Sequence, residues 1–419
     1  MGLDWERLRA RRAPSLHGWV KTDVSYIWDT PNLIYLCDGA PAIEQVPIDF
    51  LRQAHADAWE DARSIMSYGE SLGHQPLREA IGRHMGARGA EVSAELVLVT
   101  NGSQQGLDLI ARALFDRGDI VIVEGPTYFG ALQAFDAYEV EYRVASLDEH
   151  GLIPEALERL IAEEPRPKAL YTVPAFQNPT GVSTTPERSR RIVEIARSAN
   201  VAIIEDDPYG DIYFGGAAPA PLRAIDPDVI YLGTFSKTLA PALRMGWMVA
   251  PAEIFPLLAN SKEAVDIMSD RFVQRAVASA ASNGWLERHL NGARAFYRER
   301  RDTMLAALER EMPDGVSWTR PDGGFFLWVT LPDGIDAEDV LKASLTRGVG
   351  FLPGSCFYPD ARIDSSFRLA YPTSPKERVD VGIQRIGLAI RDVLSGSETS
   401  RAVESGLVSA AGKFARGGG

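Results

Sequence analysis

Short, continuous apolar runs separated by amphipathic stretches occupy the chain from Glu95 to Thr234. The runs are LVLVT closing at Thr100, IVIVE at 120–124, ALYTVP at 169–174, VAIIEDD at 201–207 and VIYLGT at 229–234. Such a run, without polar alternation, is what a strand covered on both faces requires, and helical patterns between such strands imply a largely parallel sheet. The pattern predicts an α/β domain with helices on both faces of the sheet. Upstream, Leu51 to about Met85 reads as two helices around an exposed turn, SYGESLGHQP.

The texture changes after about Asp266, where long helical material carries Phe296, Met304, Leu305 and Leu308 at helical spacing. GGFFLWVTLP and SSFRLAYPT then read as strands among further helices, which predicts a smaller α+β C-terminal domain. The expected division is an N-terminal arm at 1–48, a large domain at 49–290, a small domain at 291–394 and a flexible tail at 395–419. The tail is rich in small residues and ends in three glycines.

Composition narrows the classes. With 419 residues, 45% of them hydrophobic and 24% charged, the chain is an ordinary globular protein large enough for more than one core. A formal net charge of −13 argues against nucleic acid or an anionic membrane as partner. No apolar h-region follows the basic residues of MGLDWERLRARRAP, and no apolar run reaches the roughly 18 residues of a membrane span. Cys37 and Cys356 form no C-x-x-C pair, so neither a disulfide framework nor a zinc site is expected, and the cytoplasm is the expected compartment. The six histidines show no ligand spacing, and no metal is expected.

In an open parallel sheet, ligands collect outside the carboxyl ends of the strands, so the residues that close each apolar run are the first candidates. After LVLVT comes Asn101-Gly102-Ser103-Gln104-Gln105-Gly106 at a helix start, suited to a phosphate, although Asn and Ser also serve as helix caps. After IVIVE comes Tyr128, which either stacks on a flat ring or packs its loop. Asn178 lies in the turn-rich FQNPTG. Glu205, Asp206 and Asp207 end a buried run, where acids are costly unless paired or set at a cleft, and Tyr209 follows. Last come Thr234, Ser236 and Lys237, with Arg244 seven residues beyond. Of the chain's seven lysines, only Lys237 follows a predicted core strand.

A phosphate cradle, a stacking aromatic, an acid, an Asn and Tyr pair and one lysine add up to a single ligand, pyridoxal 5'-phosphate. That cofactor needs a lysine for a Schiff base with its aldehyde, an acid at its pyridine nitrogen, donors for its ring oxygen and an anion site for its phosphate. NGSQQG does not match the G-x-G-x-x-G of a dinucleotide-binding dehydrogenase.

The ordered motifs DGAP, YGESLGHQPLR, TNGSQQGLDL, EGPTY, FQNPTG, EDDPY, FSK with a distal Arg, GGFFLW and FRLAY span about Asp38 to Leu394. In that order they resemble the fold-type I, class I/II pyridoxal-phosphate aminotransferases, especially the 2-aminoadipate, kynurenine and aromatic aminotransferase branch. The resemblance implies an aspartate-aminotransferase-like fold, with a mainly parallel sheet of the seven-stranded type, and transfer of an L-amino acid's amino group to a 2-oxo acid. It implies that Lys237 holds the cofactor and shuttles the proton, that Asp206 pairs with the ring nitrogen, and that Asn178 and Tyr209 bond the ring oxygen. Gly102, Ser103, Gln104, Thr234, Ser236 and Arg244 would cradle the phosphate, and Tyr128 would stack on the ring. Arg368 would clamp the substrate α-carboxylate with Gly39 and Asn178 beside it, a task suited to a planar guanidinium. Tyr68 would reach the neighbouring active site of a homodimer.

Two other outcomes stay open at this level. Related folds run elimination, replacement, cyclisation or carbon-carbon bond formation on amino acids with the same cofactor, and core motifs hardly separate them. The segment at 17–41 departs from the branch's pattern: it is rich in aromatics (Trp19, Tyr26, Trp28, Tyr35), and Asp38 stands where glycine is common. The branch also contributes ligand-sensing domains to transcription regulators, but only 37 residues precede DGAP and the chain is acidic, which disfavours that class.

Overall fold

The computed structural model describes residues 2–18, 24, 27, 30, 32–282, 284–360 and 364–396. Trp19, Tyr26, Trp28 and the tail beyond 396 lie outside these described residues.

A two-residue strand, β1 (Ile34–Tyr35), precedes the helices Ile48–Trp59 and Gln75–Ala87 that flank the expected exposed turn. The large sheet is built from β2 (Val97–Thr100), β3 (Ile120–Gly125), β4 (Glu141–Asp148), β5 (Gly151–Leu152), β6 (Ala169–Thr172), β7 (Ala202–Asp207), β8 (Ile230–Thr234) and β9 (Gly246–Val249). Their spatial order is β2-β9-β8-β7-β6-β3-β4-β5. Seven strands form the body, and β5 is a short antiparallel partner of β4 at the edge. The five runs read from the sequence are β2, β3, β6, β7 and β8, and apart from Gly125 at the end of β3 and Ala202 at the start of β7 their residues are all buried.

From β8 through β7, β6 and β3 to β4 neighbouring strands are parallel, whereas β9 runs antiparallel to both β8 and β2. Strands β2, β3, β6, β7 and β8 therefore end on one edge of the sheet, and β9 begins there. Two strands escape the run-counting argument. Strand β4 is only partly covered and alternates apolar with polar residues such as Glu141 and Arg143. The four residues of β9 sit directly behind the Arg244 turn.

The helical stretch after Asp266 divides at Gly284 (φ 66°), into Arg271–Ala281 and Trp285–Glu311. The expected domain division at 290/291 falls inside the second of these helices. The C-terminal strands are β10 (Ser317–Trp318), β11 (Phe326–Thr330), β12 (Val349–Gly350), β13 (Leu352–Pro353) and β14 (Ser366–Ala370). Four form an antiparallel sheet in the order β10-β11-β14-β13. Strand β12 instead pairs in parallel with β1, and the Ala370 N–H donates to the Leu36 carbonyl at 2.8 Å. The N-terminal segment is thereby stitched to the C-terminal sheet, which delivers Cys37 to Gly39 next to Arg368. No helix among the described residues is long and apolar enough to cross a membrane.

Candidate active site

Strand direction explains why distant residues converge. One cleft, about 220 Å³ in volume, opens where β2, β3, β6, β7 and β8 end; its walls include Gly39, Ser103, Gln104, Tyr128, Asn178, Asp206, Tyr209, Thr234, Ser236, Lys237, Arg244 and Arg368. Gly102 sits beneath Arg244. A Cβ there would come within 2.6 Å of the Arg244 guanidinium, and the backbone is left-handed (φ 78°), so glycine answers both demands. Tyr68 does not line this cleft and stands 78% exposed.

The cleft floor is set by β-pleat. Of the three consecutive acids, Asp206 faces the cleft, while Glu205 and Asp207 point to the opposite face, as a period of two demands. Glu205 accepts the backbone N–H groups of Leu222 and Arg223. Asp207 meets the Arg88 guanidinium at 2.7 Å, accepts the Tyr231 hydroxyl and closes the turn by accepting the Gly210 N–H at 2.8 Å. One residue on, Asp211 pairs with His84 at 3.2 Å, which raises the His84 pKa. This buried charged network clamps the turn that carries Asp206 and Tyr209. Because Arg88 is the cation beside a nearly inaccessible Asp207, Arg88→Met is expected to destabilise the fold by about 3–5 kcal/mol. Urea denaturation measures this, and a loss under about 1 kcal/mol would show that the pair is dispensable.

Asp206 carries the most telling electrostatics. Its Oδ2 accepts the Tyr171 hydroxyl at 2.9 Å, yet Oδ1 is buried with no hydrogen-bond partner among the described residues. Burial pushes its carboxyl up to about 7, against the Tyr171 hydrogen bond. Burial likewise draws the Lys237 ammonium down to about 8, partly countered by the Asp38 carboxylate. The Lys237 Nζ donates to the Gly39 carbonyl at 2.9 Å. Thr234 Oγ1 bonds the Ser236 hydroxyl and accepts the Ser236 N–H, shaping the turn that presents Lys237. Arg244 adopts a left-handed backbone (φ 46°), uncommon for a residue with a Cβ, and one Nη donates to the Asn101 carbonyl at 3.1 Å.

The loop after β6 is held from below by Glu124, which accepts from Thr172, the Val173 N–H and Gln177. Gln177 in turn accepts from Thr180, so Asn178 is fixed between two anchored neighbours. Arg368, on β14 and 2% exposed, donates to Asn178 Oδ1 at 2.8 Å and to the Cys37 carbonyl at 2.6 Å. Its guanidinium lies 4.1 Å from the Phe326 ring centroid and 4.9 Å from that of Phe357. Burial lowers its pKa to about 10. Its Nε is buried without a hydrogen-bond partner among the described residues.

Sequence reasoning missed Tyr171, Phe129 and Phe326 at this site, and noted Asp38 only as a departure from the family's pattern without giving it a role. Tyr171 had a usable signal, since a hydroxyl inside the otherwise apolar ALYT strand demands a hydrogen-bond partner. Phe129 and Phe326 had none: each reads as an ordinary core residue until the two sheets are brought together.

A family model for aminotransferase class I and II matches residues 31–386. The chain belongs to that family. It is 37% identical to aromatic-amino-acid aminotransferase 1 of Thermococcus litoralis, over 93% of this chain and 95% of that protein. It is 34% identical to 2-aminoadipate transaminase of Thermus thermophilus, over 94% and 99% respectively. Among solved structures, the kynurenine aminotransferase of Pyrococcus horikoshii, crystallised with PMP, superposes with a TM-score of 0.88 at 37% identity, covering 93% of this chain and 98% of that one. The protein is thus a pyridoxal-phosphate-dependent aminotransferase with the aspartate-aminotransferase-like fold. The cleft fits the cofactor on its own chemistry: an unpartnered buried carboxylate oxygen suits a ring N–H, and a lysine amine of lowered pKa suits an aldehyde.

Proposed function

We propose that this aminotransferase moves the amino group of an L-amino acid to a 2-oxo acid in the cleft between the two sheets, with Lys237 as its catalytic residue. The observation that carries this is the meeting of three groups in one cleft: the Lys237 amine, the unpartnered Asp206 oxygen and the Arg368 guanidinium.

When bound, pyridoxal phosphate supplies an aldehyde that takes up the amino group and a ring that accepts electron density from the substrate α-carbon. Lys237 holds the cofactor, and its Nζ then moves a proton off the α-carbon as base and returns it as acid. Asp206 keeps the ring nitrogen charged through its free oxygen. Asn178 and Tyr209 would hold the ring oxygen, and Tyr128 would cover one ring face. Gly102, Ser103 and Gln104, at the start of the helix Ser103–Leu114, hold the phosphate with Thr234, Ser236 and Arg244, where free backbone N–H groups and the helix dipole favour an anion. Arg368 takes the substrate α-carboxylate, with Gly39 and Asn178 alongside.

Arg368 is already oriented by Asn178, the Cys37 carbonyl and the Phe326 face, so a point charge of similar length does not replace it. Arg368→Lys is expected to lower kcat/KM for the amino donor by about 10²-fold or more, mainly through KM, while cofactor binding survives. The function itself is tested by single-turnover spectroscopy with a panel of L-amino acids, which follows conversion of the bound cofactor to its amine form and assays the released 2-oxo acid. Accumulation of an elimination or condensation product without that conversion would replace transamination by another reaction of the same cofactor.

We also place Tyr68 in the active site of a second copy. Support comes from its 78% exposure and from the exposed apolar side chains of Trp59 and Met66, which precede it in the same stretch of chain. Sedimentation velocity showing a monomer at micromolar concentration would remove this assignment. Cys37 and Cys356 are both buried and not joined in a disulfide, which agrees with a reducing cytoplasm and is tested by subcellular fractionation.

A further inference from the structure

Each cation on the described walls of the cleft has a task in the proposed reaction: Lys237 for the amino group, Arg244 for the phosphate and Arg368 for the α-carboxylate. Asp206 is taken by the ring nitrogen. One carboxylate of the cleft is left without a task, and it is Asp38.

Its position is defined by both of its neighbours. The Cys37 carbonyl accepts from Arg368 at 2.6 Å, and the Gly39 carbonyl accepts from Lys237 at 2.9 Å. A substrate held at Arg368 and Lys237 therefore lies along the backbone that carries Asp38. The Asp38 carboxylate is fixed by accepting the Ala40 N–H at 2.9 Å, and its field is felt at Lys237, Arg368 and Tyr209. The wall nearby is apolar, formed by Ala40, Phe129 and Phe326. Arg271, the cation beside the Tyr68 turn, is bonded to the carbonyls of Ser64 and Ser67 of its own chain.

We propose that Asp38 determines specificity: it turns away amino acids and 2-oxo acids with a distal carboxylate and admits those with a neutral side chain, aromatic ones included. Asp38 is an exposed residue at the cleft, and a second carboxylate on a substrate held at Arg368 and Lys237 would meet its like charge at close range, within the roughly 8–10 Å over which salt leaves repulsion unscreened. The same exclusion extends to the amino acceptor, since both half-reactions use one cleft. The inference rests on the aminotransferase reading given above.

The test uses pairs that differ in charge but hardly in shape. Single-turnover half-reactions of the holoenzyme are measured with L-glutamate and L-glutamine, and with L-phenylalanine as reference. Binding of glutarate and its monoamide is measured by calorimetry. The wild type is expected to favour glutamine over glutamate by at least tenfold in the ratio of second-order rate constants. Asp38→Asn keeps the acceptor for Ala40 and is expected to shrink that preference at least fivefold, and to tighten glutarate at least fivefold relative to the monoamide. Asp38→Ser must shift both ratios the same way. A wild-type preference for glutamate overturns the proposal whether or not the variants fold, and so do ratios that stay within fivefold on substitution. Failure of all three donors, phenylalanine included, overturns the aminotransferase reading and this proposal with it.

Discussion

Lys237→Ala is expected to lower kcat by about 10⁴-fold or more while the protein stays folded, because in the proposed reaction one side chain carries both the covalent hold and the proton transfer. Single-turnover kinetics and loss of the cofactor's lysine-bound absorption band measure the two parts separately. A variant that turns over at a tenth of the normal rate would show that another group moves the proton. A pH signature accompanies this. Burial lowers the Lys237 amine to about 8, and only the neutral amine attacks an aldehyde. The rate at which stripped protein recaptures cofactor should therefore climb about tenfold per pH unit below that value and level off above it. A flat profile between pH 6 and 9 would count against an amine tuned by burial.

Asp206→Asn is expected to cost about 10²–10³-fold in kcat, since a neutral amide does not hold the ring nitrogen protonated. Its effect on stability has the opposite sign. In the cofactor-free protein, burial raises the Asp206 carboxyl to about 7. Between its ordinary value near 4 and that raised value, the folded state binds more protons than the unfolded state. This group's contribution to stability is thus lost as pH rises through the window. The loss is on the order of 4 kcal/mol, since each pH unit of that window removes about 1.4 kcal/mol. Melting curves from pH 4 to 8 on stripped protein should show the variant gaining stability relative to wild type towards pH 8. Parallel curves for the two proteins would remove the uncompensated carboxylate from the account. Glu205, raised by burial to about 8, is present in both and cancels in the comparison.

Activity and apo-protein stability are thus expected to pull in opposite directions at one residue, where a buried acid waits for a charged partner. Arg88 and Asp207 are the counterexample one position along. The same strand end carries an acid that is fully paired on the other face, so it serves the scaffold and not the cleft.

How much of this was legible in the chain itself differs from element to element. Strands β2, β3, β6, β7 and β8 were legible because a strand covered on both faces leaves no room for polar residues. The rule that ligands gather at strand ends then picked out Ser103, Tyr128, Asn178, the acids Glu205 to Asp207 and Lys237. Strand β4 was not legible, because its partly covered position allows Glu141 and Arg143 to interrupt the apolar pattern. Strand β9 was not either: its direction decides that Arg244 returns to the edge where Lys237 leaves, and direction is a property of pairing.

Linear order and residue type therefore determined the α/β class, the smaller C-terminal unit and the chemistry of the cleft, since burial periodicity and reactive groups are local properties. The family resemblance named Asp206 among Glu205, Asp206 and Asp207, but burial and residue type left the three equivalent; the physical reason for the choice came from the tertiary structure, because facing the cleft depends on pleat phase relative to Tyr171 and Tyr231. The tertiary structure also decided the company of Arg368. The parallel pairing of Ile34 and Tyr35 with Val349 and Gly350 brings Cys37, Asp38 and Gly39 across more than three hundred residues of chain, and no local pattern encodes such a pairing.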